Sequence, residues 1–162
     1  MDPVLTLRFT RIAPDRHRFE YRRPDGGGEA IELETHSTLQ HDLIHYVVES
    51  EAGLQGSFYG LLAKVGGYAE LVLNGGGALG GEVAITETLV GALTSALKSG
   101  AIDVESFLSE FNEYIRFLET RPPRWLTPAF VQTVQERMRR LDGRWRATPF
   151  GETMELEFPL RR

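Results

Sequence analysis

Apolar and polar residues alternate in three short stretches near the start of the chain. Val4–Thr10, Arg16–Arg22 and Glu29–Glu34 place apolar side chains at every second position, as in a strand with one buried face. Pro14-Asp15 and Pro24–Gly28 supply turn residues between these stretches. Short turns between alternating stretches predict an antiparallel meander.

The next segments follow a helical period. Ser37–Gln40 has the sequence of a capping box, which predicts a helix from there to about Ser50, ahead of Gly53. Phe58–Val65 predicts a short second helix. Tyr68–Leu73 is too short for its period to distinguish a strand from a helix.

Three longer segments also repeat apolar residues at helical spacing. Glu82–Lys98 carries one such stripe, and Asp103 can cap the helix that follows it. Thr127 can cap a third helix, which has proline at its first position and is predicted to end near Leu141, ahead of Gly143.

Alternation returns at the end of the chain. Arg144–Thr148 and Thr153–Phe158 flank Pro149-Phe-Gly151, which predicts a hairpin that pairs with the N-terminal meander. The fold class predicted is α+β, with residues 1–162 forming one domain. We expect an antiparallel sheet of about five strands from both termini, with about four or five central helices packed on it.

Composition narrows the class of protein. An apolar share of 41% suits a packed globule, and the absence of cysteine excludes disulfides, thiol catalysis and cysteine-ligated metals. We find no signal peptide and no apolar window of about 20 residues, so we expect a cytoplasmic protein without a membrane partner. Only Lys64 and Lys98 are lysines among 18 basic residues, an arginine bias that indicates a bacterial genome rich in GC.

The charge distribution bears on nucleic acids. The net charge is −5, and the one basic cluster surrounds Trp145. Its members are Arg137, Arg139, Arg140, Arg144 and Arg146. Basic side chains near a helix C-terminus complement the helix dipole, and the overall charge is acidic, so nucleic acid is not an expected partner.

The glycine-rich segment Asn74–Gly81 contains the pattern Gly75-x-Gly77-x-x-Gly80, which matches a dinucleotide-binding fingerprint. That fingerprint requires a strand, a helix and a second parallel strand, and no such series surrounds it. The segment also lacks the lysine of a Walker-type phosphate loop. A flexible connection before a helix is the favoured interpretation.

The stretch HDLIHYVVE, residues 41–49, carries the candidate chemistry. His41 and His45 are one helical turn apart, the spacing at which two histidines chelate a divalent metal. A helical projection places them at the border of the apolar face, beside Asp42 and Glu49.

Two features weigh against a metal site. In the H-E-x-x-H pattern of metalloproteases a glutamate follows the first histidine, whereas Asp42 here is one methylene shorter. Catalytic zinc also requires three protein ligands, and Glu49 lies too far along the helix from His41 to be the third. The sequence favours boundary histidines hydrogen-bonded to Asp42, Glu49 or backbone. Divalent metal such as zinc, or metal-independent acid–base work, is the alternative, and no cofactor is expected.

This stretch also carries a resemblance. His41–Glu49, followed by Gly56-Ser-Phe-Tyr-Gly60, resembles a set of uncharacterised bacterial proteins with the pattern L-P-H-D-L-x-H-aromatic-x-V-E and then glycine, aromatic, glycine. Gln40 stands here where those proteins tend to have proline. The group has no established activity, so the resemblance implies no mechanism.

No complete catalytic set can be assembled from the sequence. The favoured function is therefore a small cytoplasmic bacterial binding or interaction protein without catalytic activity. A homo-oligomer is one option for its assembly, with Phe58 and Tyr59 on the contact surface. The alternative function is a metal-dependent enzyme centred on His41 and His45.

Overall fold

A computed structural model describes residues 2–64, 66–73 and 81–161. Over these residues the chain is an α+β fold, with a four-stranded antiparallel sheet and six helices packed on it. The strands are β1 (Val4–Ala13), β2 (Arg16–Arg22), β3 (Gly28–Glu34) and β4 (Thr153–Pro159). The helices are α1 (Thr35–Ala52), α2 (Phe58–Leu62), α3 (Tyr68–Leu73), α4 (Gly81–Lys98), α5 (Val104–Phe117) and α6 (Pro128–Ala147).

The strand order is β3-β2-β1-β4, so both ends of the chain build one sheet. Leu7 of β1 lies opposite Tyr21 of β2 on one side and Leu156 of β4 on the other. All three side chains are buried, because alternation in the three strands points them at the same core. The predicted pairing of the C-terminal strand with the N-terminal meander is confirmed.

The other face of the sheet carries charged side chains and is exposed to solvent. Arg8 of β1 contacts Glu155 at 2.9 Å and Glu20 at 3.8 Å, and these side chains are substantially exposed. Exposed pairs of this kind add little stability. The core therefore lies entirely between the opposite face and the helices.

Helix α1 is the centre of that core. It packs against α4, α6, α2 and the sheet, so no broad face of the helix is exposed to solvent. The buried side chains of α1 are Leu39, Asp42, Leu43, Ile44, His45, Val47, Val48 and Glu49. Three of these, Asp42, His45 and Glu49, are ionisable.

The helix termini follow side-chain caps. Asp103 accepts from the backbone N–H of Ser106, and Thr127 accepts from that of Phe130, as predicted. Helix α1 begins earlier than predicted, because the Glu34 carboxylate accepts from the N–H groups of His36 and Ser37. Ser37 is therefore inside the first turn and is not the cap.

The predicted strand Arg144–Thr148 is wrong. Helix α6 continues through Gly143 to Ala147, so the sheet has four strands in the described chain instead of about five. Its buried residues Val134, Met138, Leu141 and Trp145 recur at intervals of three or four, a helical stripe that outweighs one glycine.

The structure also bears on the predictions for Tyr68–Leu73, for Phe58 and Tyr59, and for membrane spans. Tyr68–Leu73 forms a helix, which raises the number of helices in the described chain to six. Phe58 and Tyr59 are buried and so cannot form the expected contact surface. The Gly75–Gly80 pattern lies outside the described residues. Within the described ranges, none of the helices is long and apolar enough to cross a membrane.

The course of α6 predicts the effect of Gly143→Ala. A Cβ at Gly143 would meet no neighbouring atom within 4 Å, and alanine favours a helix interior over glycine. We expect a gain of about 0.5–1 kcal/mol in the free energy of unfolding, measured by denaturant titration. Gly60→Ala is the contrast and should destabilise, because its Cβ would overlap the Gln55 carbonyl oxygen. A destabilised Gly143→Ala variant would contradict the placement of Gly143 inside helix α6.

Buried His17 predicts a pH dependence of stability. Its Nδ1 lies 3.0 Å from Thr35 Oγ1, its ring packs edge-on to Trp145, and burial lowers its pKa more than Asp42 and Glu34 raise it. As pH falls below about 6.5, the unfolded chain takes up the proton first, so stability is lost. We expect His17→Gln to weaken this acid dependence by at most about 1.4 kcal/mol per pH unit.

The comparison requires denaturant unfolding of both proteins between about pH 5 and pH 8, the range that brackets the histidine transition. His36→Gln makes the same substitution at an exposed histidine and serves as the comparison variant. If the free energy of unfolding changed with pH in the same way in wild type and His17→Gln, His17 would not be a neutral core residue.

Candidate metal centre

The structure moves the candidate residues from the edge of α1 into the interior. The side chains of His45 and Glu49 are 2% and 0% exposed, and Asp42 is buried as well. His41 remains 41% exposed in its side chain. The helical projection placed the histidines at the border of the apolar face, beside Asp42 and Glu49, because it could not include the helices that cover α1.

A carboxylate from α4 completes the cluster. Glu87 places Oε1 3.1 Å from His45 Nε2 and Oε2 3.8 Å from His41 Nε2. The two imidazole rings lie 4.7 Å apart between centroids. Donor atoms of His41, His45 and Glu87 all fall within 4.8 Å of one another, so the three side chains converge on one point.

The position of Glu87 depends on how α4 is attached to the loop before α2. The Glu82 carboxylate accepts from the backbone N–H of Gly56 at 3.0 Å and from the Ser57 hydroxyl at 2.9 Å. Ser57 also lies 3.1 Å from the Thr86 hydroxyl. These contacts hold the first turns of α4 against the chain and set the register that brings Glu87 to the histidines.

Glu49 orients the buried imidazole. Its Oε2 lies 2.7 Å from His45 Nδ1, and its Oε1 accepts from the backbone N–H of Tyr59 at 2.9 Å. When the ring is neutral, a carboxylate beside Nδ1 favours the tautomer with its proton on Nδ1, which leaves the lone pair of Nε2 free. That Nε2 is buried and, although Glu87 is 3.1 Å away, makes no aligned hydrogen bond.

Asp42 is held from the opposite side. The hydroxyl of Tyr68 donates to its Oδ2 at 2.8 Å, and the hydroxyl of Tyr59 donates to its backbone carbonyl at 2.7 Å. Burial raises the pKa of Tyr68, so the phenol stays protonated and acts as the donor. The contact from Asp42 to His41 Nδ1 is longer, at 3.4 Å.

The histidines and carboxylates of the cluster shift one another's pKa values. Burial alone would lower the pKa of His45, but the neighbouring carboxylates of Glu49 and Glu87 outweigh burial and raise it to about 10. Asp42, then Glu87, raises the pKa of His41 to about 9. Burial acts to raise the pKa of Glu87, yet the two histidines bring it to about 2. Without a metal, the cluster therefore favours two imidazolium cations, and a metal would have to displace their protons.

A pocket of about 400 Å³ opens beside this cluster. Its lining residues are Ser37, Thr38, His41, Asp42, His45, Phe58, Tyr68, Val72 and Glu87. A molecule in the pocket can therefore reach the point on which the histidines and Glu87 converge.

The sequence identified part of this arrangement. His41, His45, Asp42 and Glu49 lie together, while Glu87, which supplies the third donor, was missed. The available signal was weak: Glu87 follows Thr86 at the edge of the buried stripe of α4. A carboxylate beside a buried stripe is common, and nothing in the sequence shows that α4 faces α1.

Comparison with known proteins adds no relative. The chain has no significant match among protein-family models, curated proteins or solved structures. The resemblance of residues 41–60 to uncharacterised bacterial proteins stays a prediction, and function has to be argued from the site.

Proposed function

We propose that this protein binds a divalent metal ion, with zinc as the best fit, through Nε2 of His41, Nε2 of His45 and the Glu87 carboxylate. The observation that carries the proposal is the buried Nε2 of His45, which has no aligned hydrogen bond. Glu49 holds the ring so that this nitrogen faces Glu87, which removes the main objection from the sequence, the missing third ligand.

The donor spacing supports zinc. Zinc bonds of about 2.0–2.1 Å in a tetrahedron separate the ligand atoms by about 3.4 Å. Glu87 Oε1 lies 3.1 Å from His45 Nε2 and Glu87 Oε2 lies 3.8 Å from His41 Nε2, and the donor atoms of the three residues all fall within 4.8 Å of one another, so the side chains would have to draw closer around the ion. The hydrogen bond from His45 to Glu49 is the usual outer contact of a zinc-bound histidine.

The number of ligands supports a catalytic role. Three protein donors leave one tetrahedral position, and the pocket gives access to it. Structural zinc sites have four protein ligands, whereas catalytic sites hold water or substrate in the open position. The proposal is therefore a metal-dependent enzyme in which the ion activates bound water or polarises a carbonyl group.

A metal-free network of ion pairs is the competing interpretation. The raised pKa values of His41 and His45 favour imidazolium between the carboxylates of Asp42, Glu49 and Glu87. The two interpretations differ in their response to zinc, since an ion pair network gains nothing from a cation.

Zinc should raise the melting temperature of the wild-type protein near neutral pH. At a free zinc concentration of about 100 times Kd the folded state gains about 2.7 kcal/mol, which corresponds to about 5–10 °C for a chain of this size. His41→Ala, His45→Ala and Glu87→Gln should each lose the shift, because each removes one of three ligands. Thermal melts with and without zinc measure it.

His36→Ala is the matched control, because it removes an exposed histidine of the same helix. Its zinc response should equal that of the wild type. Elemental analysis of protein purified without a histidine tag should find one metal per chain. An unchanged wild-type melting curve, together with the absence of stoichiometric metal, would support the ion-pair network instead.

Glu49→Gln should weaken zinc binding by about 10–100-fold, the usual effect of removing an outer-contact carboxylate. His45 Nδ1 and the Tyr59 N–H contact different oxygens of Glu49, and glutamine replaces one of these oxygens with an NH2 donor, so the imidazole loses its fixed orientation. The zinc Kd and the melting temperature of the metal-free variant are measured together. Glu51→Gln, an exposed carboxylate of the same helix, is the control. A stable Glu49→Gln variant with wild-type zinc affinity would limit Glu49 to a structural role.

The non-catalytic interaction protein favoured by the sequence remains a second candidate. One surface supports it: Phe117 is 81% exposed, and its neighbours Tyr114 and Leu118 are 51% and 49% exposed. An apolar patch of this kind at the end of α5 suits a protein contact.

A further inference from the structure

The positive charge of the pocket beside the candidate metal centre depends on His41 and His45, which a bound metal would hold neutral. Among the described residues that line it, none is lysine or arginine. The undescribed segment 74–80, Asn-Gly-Gly-Gly-Ala-Leu-Gly, contains no charged residue. A bound metal ion would therefore be the main positive charge offered to a ligand once both histidines are neutral.

Carboxylates cancel that charge. Glu87 coordinates the ion, and Asp42 lies in the wall of the same pocket with Tyr68 donating to it. Together they offset a divalent cation, and an ionised Glu49 behind His45 would make the site negative. Sites that take phosphate or carboxylate groups supply arginine or lysine for the purpose, and this pocket does not.

Phe58 and Val72 supply the apolar part of the remaining wall, to which Ser37 and Thr38 add hydroxyl groups. The Phe58 ring lies 5.5 Å from the His45 imidazole and 5.6 Å from the Tyr68 ring, between centroids. Val72, which is 55% exposed, lines the same pocket. At about 400 Å³ the space lies at the small end of ligand pockets.

We propose that the open position of the metal takes a small uncharged molecule, which coordinates through a carbonyl oxygen and rests its apolar part on Phe58. Anionic molecules of the same shape are rejected by Asp42 and Glu87. This inference rests on the proposed metal binding and adds the class of substrate to it.

A pair of isosteric probes tests the charge preference. Benzamide and benzoate have nearly the same shape and differ by one charge. Each is titrated into cobalt-loaded protein, and Kd is measured from the visible spectrum of cobalt and from paramagnetic broadening of the probe's NMR signals. We expect benzamide to bind at least about tenfold more tightly than benzoate, a difference of about 1.4 kcal/mol.

Asp42→Asn identifies the source of the preference. The amide keeps an oxygen for the Tyr68 hydroxyl but removes one negative charge, so benzoate should bind more tightly while benzamide changes little. Glu51→Gln removes a carboxylate from the same helix outside the pocket and should leave the ratio of the two Kd values unchanged.

The outcomes separate this inference from the metal proposal. Protein that binds no cobalt overturns both. Protein that binds cobalt but binds benzoate as tightly as benzamide, or responds to neither probe, overturns the charge preference and leaves the metal site in place. A preference for benzamide that narrows in Asp42→Asn supports the inference.

Discussion

Burial of three ionisable side chains on one helix is the constraint on which the rest of the structure depends. Asp42, His45 and Glu49 lie inside a core of aliphatic and aromatic residues. Removing a charge from water costs several kcal/mol unless a partner compensates it. The neighbouring elements must therefore bring polar groups to α1 at defined positions, and this requirement limits how they can pack.

The elements around α1 meet that requirement one by one. Helix α2 directs the Tyr59 N–H to Glu49 and the Tyr59 hydroxyl to the Asp42 carbonyl. Helix α3 supplies the Tyr68 hydroxyl to the Asp42 carboxylate, and α4 supplies Glu87 to both histidines. The contacts that compensate the buried charges are thus the same contacts that form the candidate site. A change in any of these elements should alter stability and metal affinity together.

How far the sequence could predict this structure depended on the range of each interaction. Strands β1, β2, β3 and β4 were predicted because alternation is local and β-turn residues separate them. Helix α6 was predicted to end ahead of Gly143, because glycine often follows the end of a helix. The stripe of buried residues along this helix continues past Gly143 to Trp145. Glu87 was missed because its role depends on contact with His41 and His45, 46 and 42 residues earlier in the chain, and no local sequence pattern predicts such a long-range contact. The fold class was therefore predictable from the spacing of apolar residues, while Glu87, the third donor of the proposed metal site, was not.

Buried histidine alone does not indicate a metal site, and His17 shows why. Its Nε2 is also buried without a hydrogen bond, yet its ring packs against Phe9 and Trp145, and burial lowers its pKa. His17 is thus a neutral core residue whose Nδ1 contacts Thr35. His45 differs in three respects: a carboxylate orients it, a second carboxylate faces its Nε2, and the residue lines a pocket. An apolar side chain in place of His45, Glu49 and Glu87 would often be at least as stable as a buried ion cluster. Packing alone therefore gives no reason for this arrangement, and the proposed binding of a metal ion would account for all three features.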